Sequence, residues 1–247
     1  MDFNGINCCR TLGLNPYLGM SLVVVMKNAL VTGANRGIGL ELTKQLLDSG
    51  FNVHATFRTS KGGLEAINNP GLSIHKMDVR NKEQIKKVID SIDSIDLLIN
   101  NAGVADGRWQ SISEIDVEHA LEVLNINSVS PVLVTQQALT KLTEGSKIVM
   151  MSSLMGSISD CRSGRSYAYR ASKTALNMFS IAMKNELDTL GISLLIMHPG
   201  WVETDMGGPN APLSTTESVR GIMERIEEQN LSMSGRYVEF DGSTIEW

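Results

Sequence analysis

A phenol and an ammonium stand four residues apart in Tyr169-Arg170-Ala171-Ser172-Lys173, a spacing that sets both side chains on one face of a helix. Tyrosine can hand a hydroxyl proton to an oxygen that is gaining negative charge, but its ordinary pKa of about 10 holds that proton tightly. A fixed positive charge nearby stabilises the phenolate and draws the pKa down. The pair is therefore a candidate general acid. Tyrosine and lysine also fall at this spacing on solvated helix faces, so the rest of the chain has to supply the reacting partners.

One partner is suggested near the start of the first apolar run. Thr32-Gly33-Ala34-Asn35-Arg36-Gly37-Ile38-Gly39 leads from a strand-like segment into an amphipathic one, which places a glycine-rich turn where a helix N-terminus directs free N–H groups outward. Gly33, Gly37 and Gly39, with Asn35, Arg36 and Ile38 between them, make a candidate pyrophosphate cradle, because backbone without Cβ atoms can approach a phosphate closely. A plain tight turn is the competing reading. About 20 positions beyond such glycines an acidic residue would accept hydrogen bonds from an adenosine ribose. Here the second apolar run ends instead in Phe57-Arg58-Thr59. Arg58 can grip a 2′-phosphate through its planar fork of donors, with Arg36 approaching from the turn. Two arginines and no carboxylate favour NADP(H) over NAD(H), against the alternative that both are solvated surface arginines.

The elements that would carry these residues alternate. Short apolar runs at 29–31, 53–57, 72–77, 97–99, 148–151 and 194–197 read as buried strands, and segments near 38–49, 82–93, 116–142 and 167–190 carry apolar residues at helical spacing. That order predicts an α/β fold of Rossmann type, a doubly wound parallel sheet of about seven strands covered on both faces by helices. A chain of 247 residues fits one such domain, expected over 26–247. Residues 1–25 read as an extension, disordered or loosely packed. Their apolar stretch 18–26 is preceded by a single arginine and followed by no small-residue cleavage site, unlike a signal peptide, and it is too short to span a bilayer. A net charge of -5 without a run of Lys or Arg argues against nucleic acid and anionic membranes as partners. Three cysteines, with Cys8 and Cys9 adjacent, and four scattered histidines make no metal-binding pattern, so no metal is expected and a reducing cytoplasm fits best.

With these features in place the chain resembles the short-chain dehydrogenase/reductase family from Met26 to Trp247. The resemblance rests on the glycine turn, Tyr169 and Lys173, Asn100-Asn101-Ala102-Gly103, Asn127, Ser152-Ser153 and Pro199-Gly200-Trp201-Val202-Glu203-Thr204, all in the family's order. Within the family it is most like sniffer-type carbonyl reductases and bacterial C-factor proteins, by His198 to Gly208 and by Asp241 to Trp247. The resemblance implies an NADPH-dependent reductase of aldehydes or ketones. Tyr169 would donate the proton and Ser153 would hold the carbonyl oxygen. Lys173 would bind the nicotinamide ribose and lower the phenol pKa, and Asn127 would help bring replacement protons through a water. Ser153 is preferred to Ser152 because it lies three residues before Gly156, and Tyr169 to Tyr167 because only Tyr169 has the matching lysine. The resemblance also implies that Asp78 and Val79 meet adenine, that Asn101, Ala102 and Gly103 support the adenosine side, and that Pro199, Gly200, Val202 and Thr204 lie along the nicotinamide and pyrophosphate. Met155, Trp201, Met206 and the 205–213 loop are candidate walls of an apolar substrate pocket, or else ordinary packing. The loop from Ser157 to Ser166 is a few residues longer than in common members. Relatives commonly pair through the 116–142 and 167–190 helices, so a homodimer is a candidate assembly. The rival function is an NADP(H)-binding regulatory or intercellular signalling protein of C-factor type with little turnover.

Overall fold

The computed structural model describes residues 26–106, 111–162 and 164–247; the extension expected over residues 1–25 lies outside them. Seven strands form one parallel sheet: β1 (Asn28–Val31), β2 (Asn52–Phe57), β3 (Leu72–Lys76), β4 (Ile95–Asn100), β5 (Leu142–Met151), β6 (Ser193–His198) and β7 (Tyr237–Glu239). Their order is β3-β2-β1-β4-β5-β6-β7. The order reverses between β1 and β4, and in doubly wound sheets ligands bind at such a switch, beyond the carboxyl ends of the strands.

Successive strand residues point to opposite faces, and both faces are apolar. Ala29, Val31, Val53, Leu97, Ile99, Val149 and Leu195 pack on one side with Leu42 and Leu46 of α1 (Gly37–Asp48) and Val219, Ile222 and Ile226 of α6 (Thr215–Glu228). Leu30, Leu98, Ile148, Met150, Leu194 and Ile196 pack on the other with α2 (Lys82–Asp90), α4 (Ser130–Ala138) and α5 (Tyr167–Thr189), through Ile85, Val88, Ile89, Val134, Leu176 and Leu187. Full burial of each of these Val, Leu, Ile and Met side chains contributes roughly 1.5–3 kcal/mol.

The helix expected over 116–142 is three pieces. α3 (Val117–Leu124) runs into a π-helical turn, Asn125–Val129, and then into α4, and β5 begins at Leu142. Pro131 explains the local winding. It has no N–H to give the carbonyl of Asn127 four residues back, and Ser130 N–H instead donates to Asn125 five residues back. β5 also starts earlier than its apolar run, and both α6 and β7 lie in a stretch where no element was predicted.

Candidate active site

α5 presents Tyr169 and Lys173 toward the end of β5. The chain enters this helix through two non-glycine residues with left-handed backbone, Arg165 (φ 65) and Ser166 (φ 47), a costly conformation that tends to persist near functional sites. Lys173 is buried and its ammonium donates to the carbonyl of Met151 at 2.7 Å. It lies 5.7 Å from the Tyr169 ring centroid. Burial lowers its pKa to about 8. The expected depression of the phenol is not what the structure shows. Burial pushes Tyr169 above its ordinary value, the hydrogen bond with the Ser153 side chain opposes that, and the negative charge of Asp106 adds to it. The low-dielectric surroundings outweigh the serine's hydrogen bond, and the phenol is held protonated, as a proton donor must be.

The two neighbouring serines have different partners. Ser152 Oγ donates to Asn177 Oδ1 at 2.6 Å. Ser153, capping a short 3-10 turn at Leu154–Gly156, shares its hydroxyl with Tyr169 and accepts from Met155 N–H at 3.2 Å. Asn127 sits in the π-helical turn, fully buried. Its Oδ1 accepts from Val104 N at 2.9 Å, and its Nδ2 donates to Val104 O at 2.8 Å and to Ser172 Oγ at 3.0 Å. Its side chain thus clamps the chain beyond Gly103 against α5, and Pro131 leaves its main-chain carbonyl without the usual helical donor.

A cavity of about 740 Å³ opens beside these groups, at the sheet's switch point. Its walls include Gly33, Asn35, Arg36, Gly37, Ile38 and Gly39 of the turn, Arg58 after β2, Asp78 and Val79 after β3, Asn101, Ala102 and Gly103 after β4, Tyr169 and Lys173, and Pro199 and Thr204 after β6. Gly200 and Val202 are not among the walls. Val202 is buried and bridged to Leu213, and Gly200 lies against Leu213 and Phe240. Lys44 and Val104 are walls that no sequence motif marked.

The turn has the shape for a dinucleotide phosphate. Gly33 has φ +64, and a Cβ there would stand 2.9 Å from Ala102 Cα; one on Gly39 would stand 2.3 Å from Gly33 O. Asn101 spends its side chain on this geometry, donating to Thr32 O at 2.9 Å and Gly33 O at 3.1 Å, while Thr32 Oγ1 accepts from the N–H groups of Asn101 and Ala102. Arg36 pairs with Asp205 across the cavity mouth, both well exposed. Such a pair is worth little in water, so Arg36 can exchange that partner for a phosphate. Arg58 is exposed and has no ion pair among the described residues. Asp78 is held below the usual carboxylate range by hydrogen bonds from Arg80, which also reaches Glu122 at 3.0 Å. Met206 and Trp201 are exposed beside this end of the cleft, and Trp201 Nε1 donates to Gly207 O at 2.8 Å. Among the described residues, no group of three or more His, Cys, Asp or Glu could hold a metal ion, and no helix is long and apolar enough to cross a membrane.

Comparison with known proteins places this geometry. The C-signal protein of Myxococcus xanthus is 39% identical over 155 residues, covering 62% of this chain and 93% of that protein. The carbonyl reductase Sniffer of D. melanogaster superposes with a TM-score of 0.85 at 32% identity, over 90% of this chain and all of that one. An NADPH-bound carbonyl reductase from chicken fatty liver superposes with a TM-score of 0.83 at 32% identity, over 90% and 99% of the two chains. The short chain dehydrogenase profile matches residues 27–212. A switch-point cavity floored by tyrosine and lysine thus has its counterpart in sequence, and the chain belongs to the short chain dehydrogenase family.

Proposed function

We propose that this chain reduces the carbonyl of an aldehyde or ketone to an alcohol with NADPH, with Asn127, Ser153, Tyr169 and Lys173 as the catalytic set. The observation that carries the reading is one cleft lined at one end by Tyr169 and Lys173 and at the other by Arg36 and Arg58, with Ser153 close enough to act on the phenol. NADP-bound relatives add support: the chicken reductase was solved with NADPH and a Burkholderia multivorans relative, 29% identical, with NADP.

The dinucleotide, when bound, supplies the hydride. The residues named do the rest. As the carbonyl oxygen gains charge, Ser153 Oγ and the Tyr169 hydroxyl both donate to it, and two aimed donors stabilise that charge far better than mobile water. Tyr169 then releases its proton to the oxygen, completing the alcohol. Lys173 stabilises the resulting phenolate, would hold the ribose hydroxyls beside it, and passes a proton back to the phenolate; a water on the Asn127 carbonyl then replaces the proton the lysine has given up. Arg36 and Arg58 would grip the 2′-phosphate, and the glycine turn would receive the pyrophosphate. Pairing of two chains through α3 and α5 belongs to the same reading, since Val117, Leu121, Met178 and Phe179 are exposed there.

The test is NADPH oxidation by purified protein against a panel of aldehydes and ketones. Tyr169→Phe should lower turnover by at least about 100-fold, the lower end of what a positioned acid contributes, while NADPH still binds. The likeness to the C-signal protein is consistent with the rival, a cofactor-binding regulatory protein; tight NADPH binding with no turnover of any carbonyl would decide for it.

A further inference from the structure

We propose that Tyr237 and Trp247 are positioning residues for Ser153, setting its hydroxyl for carbonyl binding although neither touches the cavity. Tyr237 lies on the edge strand β7 and is 2% exposed. Its hydroxyl donates to the main-chain carbonyl of Ser153, 84 residues away in sequence, and its side chain also reaches Ser152 and Asn177. The same Ser153 carbonyl accepts from Gly156 N–H at 2.8 Å. Two donors from unrelated parts of the chain therefore fix the plane of the peptide that follows Ser153. That plane governs where the serine sits at the entrance of its 3-10 turn, and so where its Oγ meets Tyr169.

Trp247 holds the tyrosine in turn. After β7 the chain doubles back, with Glu239 N–H donating to Ser243 O and Ile245 N–H to Tyr237 O, each at 2.9 Å. This return lays the Trp247 ring on the Tyr237 ring, with centroids 5.3 Å apart and planes 28° from parallel. The Trp247 carbonyl accepts from Ser159 N–H at 3.1 Å, so the segment is also tied to the chain that follows the serine's turn. An offset-stacked aromatic pair of this kind restrains a ring without using its polar group, which leaves the Tyr237 hydroxyl free for Ser153. Catalytic donors work only within about half an ångström of the productive position, and misplacement by about 1 Å costs on the order of 100-fold in rate.

This inference rests on the reductase reading, and its test separates the two. Tyr237→Phe keeps the stacked ring and removes only the hydroxyl. We expect kcat to fall about tenfold or more, with the KM for the carbonyl and the dissociation constant for NADPH changed less than about twofold. In a Ser153→Ala background the same substitution should cause no further loss, because residues that act as a unit are not additive. A full additional loss in the double variant, or an unchanged kcat in the single one, overturns the proposal. Trp247→Ala should reproduce the kcat effect and Trp247→Phe should restore it; a Trp247→Ala variant with wild-type kcat removes Trp247 from the assignment. Turnover by the wild type is measured first, and its absence sinks the reductase reading alone. A crystal structure of Tyr237→Phe then decides the positioning claim without turnover: Ser153 Oγ displaced from Tyr169 supports it, and a superimposable serine overturns it.

Discussion

Lys173 changes charge in the range where such proteins are assayed, because burial brings its pKa to about 8. Its ammonium is the form that steadies a phenolate. The kcat/KM for NADPH, which reports groups of the free enzyme, should therefore hold level below pH 8 and decline above it; a profile level to pH 10 counts against the lysine. At the other end of the cleft, Arg58→Asp removes a charged donor pair and adds repulsion. The preference for NADPH over NADH, as a ratio of kcat/KM, should drop by about tenfold or more, and an unchanged ratio would mean that Arg58 does not meet the phosphate. Tyr169, Lys173 and the glycine turn were legible because their partners lie within one helical turn or one loop of each other. Arg80, Asp205 and Tyr237 were not. Their partners include Glu122, Arg36 and Ser153, joined only by tertiary structure, and no local pattern records such a pairing. The phenol's pKa was misjudged for a related reason, since burial depends on the whole fold whereas lysine spacing is visible in the chain.

Among the elements, the buried strands β1 to β6 and the long helices were readable because burial on both faces leaves continuous apolar runs, bounded by turn residues. β7 is three residues long, too short to carry a period. The π-helical turn had a signal in Pro131, which can donate no helical hydrogen bond, but the surrounding apolar spacing masked it. The glycine turn makes a prediction of its own. Gly39→Ala drives a Cβ to 2.5 Å from Asn101 Nδ2 as well as against Gly33 O, so the clamp between the turn and the end of β4 has to open. Urea unfolding should show a loss of about 1–3 kcal/mol, typical of an overpacked interior, and NADPH should bind more weakly. Wild-type stability with wild-type cofactor affinity would show that the turn tolerates a side chain there.

For the whole molecule, acid is the condition to watch. Burial lowers His198 from its ordinary 6.5 to about 4, with Asp160 opposing the shift. The fold thus prefers the neutral ring, whereas the unfolded chain protonates it below pH 6.5. Stability from this group is present above that pH and is lost as pH falls toward 4, by roughly 3 kcal/mol in all. The thermal midpoint of His198→Asn should fall less than that of the wild type between pH 6.5 and 4; parallel curves would put the acid sensitivity elsewhere. Assembly is a second global property. Met178 is 69% exposed and Phe179 40% exposed on α5, and a double change of both to Glu should convert a dimer to a monomer by light scattering if α5 is the pairing face. The class of fold followed from alternation of strands and helices, but the assembly did not, because exposed apolar residues serve both packing faces and ordinary surfaces.

The strand order has a consequence for synthesis. β1 is completed early, and one of its edges is covered by β2, but Ala29 on the other edge pairs with Leu97 of β4, a stretch of chain that leaves the ribosome much later. Until then the nascent sheet carries an open, apolar border, the kind that recruits strands from other molecules. Slow translation before Ile95 should therefore lower the soluble yield more than the same delay placed after Asn100.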